Sequence, residues 1–494
     1  MFTSSVPFDF ADYFRVPVAL SPELADELAP YVGGLHARPD GPWLLWARAE
    51  DGRHAAGTAA GHYRLAGLDI VCPVLAGRPP AMSGRRWAGD EGWRPLVPVH
   101  DRAGQHVASV WTNDHGDVFV PFDPGEAMLW LWSERYTTLG RAGLVHRARH
   151  LLVTVYYAVR PLLPRRVQLL LRRGYATSQG GGDFPGWPEE HALHDLYAWL
   201  FDLLGVIAGE PVPSIHPWPH GHRSAVVLTH DVETAAGRDK IAALRDPERE
   251  RGLRSSWNFV PERYDVPRSL LDALRGEGCE IGVHGLRHDG KDLASERMLR
   301  KRLPAIRAWA GRWDAVGFRS PATQRGWDLM PRLGFDYDSS YTDSAPHEPT
   351  PGGCCTYLPF FIGDLVELPL TLPQDHTLFE ILGHTDGHVW QAKVDSLRAR
   401  GGMVLLIAHP DYVDDPGMRE AWSALLDQLV ADPDTWHALP REVAAWWRRR
   451  AASRVEKVDG RWVVRGPAAD DAVVELTAHV APKPERRPRA TPQP

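Results

Sequence analysis

Between residues 216 and 450 seven short apolar runs, AVVLTHD, SSWNFV, EIGVH, AVGFR, FDYDSS, LVELPL and MVLLIAH, alternate with helical stretches. Strands that are apolar on both faces must be covered on both, so this pattern predicts a parallel sheet, either doubly wound or rolled into a barrel. Four of the runs end in residues able to do chemistry: Asp231 and Glu233 after AVVLT, His284 after EIGV, Arg319 after AVGF and His409 after MVLLIA. Parallel α/β folds build their sites at the carboxyl ends of strands. These side chains are therefore expected to converge on one rim.

Strand alternation puts Thr229, Asp231 and Glu233 on one face and His230 with Val232 on the other. Two carboxylates then face the same space, where one can bind a metal ion and the other stays free as a base. The spacing His284-Gly-Leu-Arg-His288 predicts two imidazoles on one side of a helical turn, within reach of one zinc ion. Spacing alone is weak: random placement of 23 histidines gives about one such pair, and four occur. His146/His150 sits in a run of arginines, His216/His220 is interrupted by two prolines and His384/His388 follows a helix, so these three read as structural or solvent-exposed. Only His284/His288 starts at a strand end. Arg319-Ser-Pro321 sets a fixed cation after a strand; it either keeps a catalytic carboxylate ionised and oriented or forms a plain structural ion pair. His409 is either a satisfied buried histidine or a proton donor.

The 494 residues allow about three domains. Residues 1–130, rich in Gly, Pro and Trp, read as a mainly β region without an assignable motif, followed by a basic helical connector at 131–210 and the α/β unit at 216–450. Residues 451–480 read as a terminal hairpin or two, and the Pro- and Arg-rich stretch 481–494 as a disordered tail. The connector holds eight arginines and no acid within 141–173. It reads as a solvated helical face against an acidic neighbour, or as a peripheral contact with an anionic membrane or a phosphorylated lipid carrier. A net charge of −7 argues against a nucleic-acid partner. Four irregularly spaced cysteines make no disulfide framework, and the acidic start MFTSSVPFDFADYF lacks a signal peptide's basic n-region. The expected location is cytoplasmic, peripheral at the inner membrane face if the arginine block docks there.

In chain order, Thr229-His-Asp231-Val-Glu233, His284-x-x-x-His288, Arg319-x-Pro321 and Leu406-Ile-Ala-His409-Pro410 resemble the motif series of the polysaccharide deacetylase superfamily, the NodB-homology or carbohydrate esterase 4 group. The resemblance covers roughly residues 220–450, and its specificity lies in the ordered set. It implies a distorted (β/α)7-type barrel and a metal-dependent hydrolase that removes acetyl groups from N-acetylated sugars. It also implies roles: Asp231 as general base, Glu233, His284 and His288 as ligands of a divalent metal, most simply Zn²⁺, Arg319 as partner of the base, His409 as general acid, and the Ala322 N–H as an oxyanion donor. The first motif departs from the commonest form, in which two carboxylates are adjacent, because Val232 separates Asp231 from Glu233. That displacement also resembles the branch containing cyclic-amide hydrolases and some peptidoglycan deacetylase-like enzymes. The aromatic residue often found after Arg-x-Pro is here Ala322. The expected substrate is an N-acetylated sugar, polysaccharide or lipid-linked glycan precursor. The alternatives are a cyclic or other non-glycan amide, or an inactive glycan-binding module.

Overall fold

A computed structural model of the chain describes residues 1–50, 52–87, 92–139, 173–174 and 184–478. All seven apolar runs contain strands, which we label together with two others in the same sheet: β1 (Ser224–Val232), β2 (Ser255–Phe259), β3 (Glu280–His284), β4 (Gly317–Arg319), β5 (Tyr337–Asp338), β6 (Phe360–Ile362), β7 (Leu365–Glu367), β8 (Met403–Ala408) and β9 (Thr435–His437). The sheet runs β6-β7-β5-β4-β3-β2-β1-β8, with β9 on the amino-terminal end of β1. Every pairing is parallel except β6 with β7 at the edge. Helices α1 (Ala242–Glu250), α2 (Arg268–Gly276), α3 (Glu296–Arg312), α4 (His388–Ala399), α5 (Pro416–Val430) and α6 (Pro440–Ala451) lie between or after the strands. All nine residues of β1 are buried, as a strand covered on both faces requires.

The result is a mixed α/β unit whose sheet is a half-barrel, consistent with the NodB-like deacetylase fold. β7 and β8 share no ladder. Between them the backbone N–H groups of Thr371 and Leu372 both donate to the Leu405 carbonyl at 3.1 Å, and the Met403 N–H donates to the Tyr357 carbonyl at 2.9 Å, so short segments before β6 and after β7 meet β8 without a ladder. The apolar run LVELPL reaches the segment after β7 only as far as Leu370; LPLTLP keeps leucines at alternate positions, but its two prolines cannot donate to a ladder.

The N-terminal part forms a separate nine-stranded sheet between Phe2 and Val120. Helices Asp9–Phe14, Pro124–Trp132 and Ala192–Ala208 pack on it. The last presents Leu193, Leu196, Leu200, Leu204 and Ile207 at helical spacing into that core, and so belongs to the N-terminal core rather than to a free connector. The arginine block, apart from Arg173, and the tail at 481–494 lie outside the described residues. Arg454–Val458 and Arg461–Arg465 form one hairpin, but Val474–Thr477 pairs with Val212–Ile215 instead of making a second. All four cysteines are buried and free. Among the described residues no helix is long and apolar enough to cross a membrane.

Candidate metal and proton-transfer centre

β1, β3, β4 and β8 deliver the predicted residues to one end of the sheet. Asp231, at the end of β1, is buried, and its Oδ1 accepts from Asn258 Nδ2 on β2 at 2.9 Å. Asn258 approaches this closely because its neighbour on β3 is Gly282; a Cβ there would lie 2.0 Å from Asn258 Oδ1. Asp231 Oδ2 lies 3.6 Å from Arg319 Nη1 and 3.7 Å from His284 Nδ1. Burial opposes ionisation of this carboxyl, but His284, Arg319 and His409 outweigh it and hold its pKa below the ordinary value. Arg319 is itself buried, with Nη2 donating to the hydroxyls of Thr229 and Ser339 at 3.1 Å each. His230, on the opposite face as expected, stacks on Trp257 and sits 2.6 Å from the buried Glu248 carboxylate. It is a core residue.

His284 Nδ1 lies 3.1 Å from the Arg319 carbonyl. A proton on Nδ1 satisfies that oxygen and leaves the Nε2 lone pair directed elsewhere; Nε2 is buried without a hydrogen-bond partner. The two rings stand 5.0 Å apart, and His288 Nε2 lies 2.9 Å from Glu233 Oε1 as an ion-pair contact. Glu233, His284 and His288 each offer one ligand atom within 4.8 Å of the others. Two imidazole nitrogens, one of them bare, beside a carboxylate fit a divalent cation, and burial pushes the His284 pKa down to about 4, keeping that ring neutral and able to ligate. The expected helical turn is absent, however. His284 ends β3, Gly285 and His288 take left-handed backbone conformations with φ of 61° and 54°, and the chain bends back instead of coiling. A Cβ on Gly285 would come within 2.6 Å of Pro321, so the close packing of the Arg319-Ser-Pro loop excludes a larger residue there.

His409 follows β8 with its Nε2 3.8 Å from Glu233 Oε1. Its Nδ1 meets Asp375 Oδ1 at 2.5 Å, and its backbone N–H donates to Asp375 Oδ2 at 2.6 Å. Burial alone would lower the imidazole pKa, but Asp375, helped by Glu233 and Asp231, raises it to about 10. Asp411 accepts from the Glu233 N–H at 3.1 Å and the Thr234 hydroxyl at 2.5 Å, tying the His409 loop to the end of β1. Ala322 lies exposed in the turn Pro321–Thr323, and both it and Thr323 have positive φ, 54° and 49°.

The structure thus brings Asp231, Glu233, His284, His288, Arg319 and His409 together, with Ala322 on the turn directly after Arg319. Asn258, Asp375 and Asp411 were not foreseen. Asn258 had a signal, a polar side chain inside the apolar run SSWNFV in register with Asp231. Asp411 stood next to the His409-Pro410 motif. Asp375 had none: it lies 34 residues from His409, at the start of the helical segment His376–Ile381.

No protein-family model matches the chain, and no curated protein matches it. Solved structures do resemble it. A Mycobacterium smegmatis chain described as a polysaccharide deacetylase is 23% identical with a TM-score of 0.38, the match covering 47% of this chain and 93% of that one. An allantoinase is 16% identical with a TM-score of 0.40, over 47% and 93% of the two chains. A peptidoglycan deacetylase from Bacillus subtilis is 13% identical with a TM-score of 0.31, over 46% and 94%. Each of these matches covers about half of this chain and more than nine-tenths of the solved chain.

Proposed function

We propose that the chain is a divalent-metal-dependent hydrolase that removes the acetyl group from an N-acetylated sugar, polysaccharide or lipid-linked glycan precursor. The observation that carries this reading is the convergence of Glu233, His284 and His288, each with one ligand atom within 4.8 Å of the others and His284 Nε2 buried without a partner, next to an ionised Asp231 and a protonated His409. Glu233, His284 and His288 would hold the cation, most simply Zn²⁺. Such a cation, when bound, supplies the Lewis acidity that polarises an amide carbonyl and acidifies water. Asp231 Oδ2 takes the proton from the attacking water; Asn258 occupies the other carboxylate oxygen, and Arg319 keeps the group charged. His409 Nε2 gives its proton to the departing amine, while Asp375 anchors Nδ1 and orients the ring. The Ala322 N–H is assigned to the oxyanion. Acetate and a free amino sugar result. Attachment of the substrate to a lipid carrier is a finer proposal that rests on the arginines of 141–173 alone.

The Asp231-Val232-Glu233 spacing favours one second reading, hydrolysis of a cyclic amide at the same centre. Purified, metal-loaded protein is offered N-acetylglucosamine oligomers and, separately, small cyclic amides. Acetate release from the oligomers is expected. Ring opening without acetate would replace the first reading by the second, and binding of oligomers with no turnover of either substrate would leave a glycan-binding module.

A further inference from the structure

The N-terminal half sends one carboxylate into the loop that follows Arg319. Glu134 lies just past helix Pro124–Trp132 in a left-handed conformation, φ 56°, that a non-glycine residue adopts only under constraint. Its carboxylate meets Arg325 as a fork: Nε donates to Oε2 at 2.8 Å and Nη2 to Oε1 at 2.7 Å. Both side chains are nearly inaccessible, at 9% and 2% exposure, so this is a buried charge pair and not a surface contact. The third guanidinium nitrogen, Nη1, donates to the Thr323 carbonyl at 2.9 Å, and Nη2 also reaches the Thr350 carbonyl at 3.2 Å. Thr323 and Ala322 are the consecutive positive-φ residues of the turn after Arg319-Ser-Pro. Two such residues in succession are costly and persist only where their surroundings hold them. The opposite side is equally close: a Cβ on Gly352 would lie 3.1 Å from the Glu134 carboxylate, and the Tyr136 hydroxyl donates to the Gly353 carbonyl at 2.7 Å.

We propose that Glu134 is a positioning residue for the reaction centre, holding Arg325 so that Arg325 fixes the strained Ala322–Thr323 turn whose N–H is assigned to the oxyanion. The inference rests on the deacetylase reading for its chemistry and on the ion pair for its geometry. It gives the N-terminal half a part in the reaction without contact with substrate.

The test uses the full, metal-loaded chain and compares wild type with Glu134→Gln and with the double variant Glu134→Gln/Arg325→Gln. The double variant leaves no unpaired buried charge, so it reports on the turn even where the single variant fails to fold. Two readouts are taken besides metal content: kcat and KM for acetate release from N-acetylglucosamine oligomers, and amide hydrogen exchange at residues 322–324. In the double variant exchange at these amides is expected to quicken by about tenfold or more while metal content is unchanged. A fall in kcat of about 10- to 100-fold, with KM within about twofold, is expected alongside, because a misplaced oxyanion donor weakens only the transition state. Unchanged exchange, unchanged kcat or loss of metal in the double variant would each overturn the proposal. If wild type releases no acetate, the deacetylase reading fails by itself, and the exchange measurement still decides whether the pair holds the turn.

Discussion

At Asp231 burial and charge pull in opposite directions, and the charges win. A carboxylate beside a buried guanidinium and two imidazoles stays ionised, while Asn258 occupies Oδ1 and leaves Oδ2 towards Arg319 and His284. Asp231→Asn keeps the shape and removes the base, so it is expected to retain metal and lose about 10²- to 10⁴-fold in turnover, checked by steady-state kinetics beside metal analysis. Unchanged kcat would take Asp231 out of the role. Asp231, Glu233, His284, Arg319 and His409 were legible because they end apolar runs, where a polar side chain has no packing reason to be, and His288 by its spacing from His284. Asp375 and the Glu134–Arg325 pair were not legible: their partners lie 34 and 191 residues away, and nothing in the intervening sequence marks the contact.

Single strands here serve opposite ends of the sheet. β3 carries His284 at its carboxyl end and Glu280 at its start, where the carboxyl accepts from the Tyr337 hydroxyl at 2.8 Å and the Arg441 N–H at 3.1 Å. Burial pushes the Glu280 pKa up from 4.5 to about 7. Below pH 4.5 the group is protonated in both folded and unfolded chains and costs nothing; as pH rises towards 7 the unfolded chain releases the proton first, and stability falls. The loss is on the order of 3 kcal/mol. Glu280→Gln removes it, so the variant's melting temperature relative to wild type is expected to be more favourable at pH 8 than at pH 5, measured by thermal unfolding; an equal difference at both pH values would refute this. Element types were readable from the apolar runs, whereas the loop at His284–His288 was not. Helical spacing and a bend can bring the same two side chains together, and the choice was made by left-handed residues packed against Pro321.

The two sheets are joined by buried polar contacts as well as by apolar ones. Arg450, on α6, is buried and donates to the carbonyls of Tyr13 at 2.9 Å, Ile215 at 2.7 Å and His216 at 3.2 Å, while Trp132 stacks on Phe360 at 5.3 Å. Removing a charged donor leaves one buried and two partly buried carbonyls without it, so Arg450→Met is expected to lower stability by on the order of 3 kcal/mol in denaturant titration while leaving metal content at low temperature intact. A change below about 0.5 kcal/mol would show that these contacts do not bind the halves. Sequence patterns found both sheets but not their union, since an arginine that caps carbonyls from distant segments looks like any arginine in a helical run. The central claim is that side chains from separate strands meet around one hydrolytic cation, and metal content after dialysis tests it most directly. Wild type should keep close to one divalent ion per chain, and His284→Ala and Glu233→Ala should each lose it. Stoichiometric metal persisting in both variants would contradict the account.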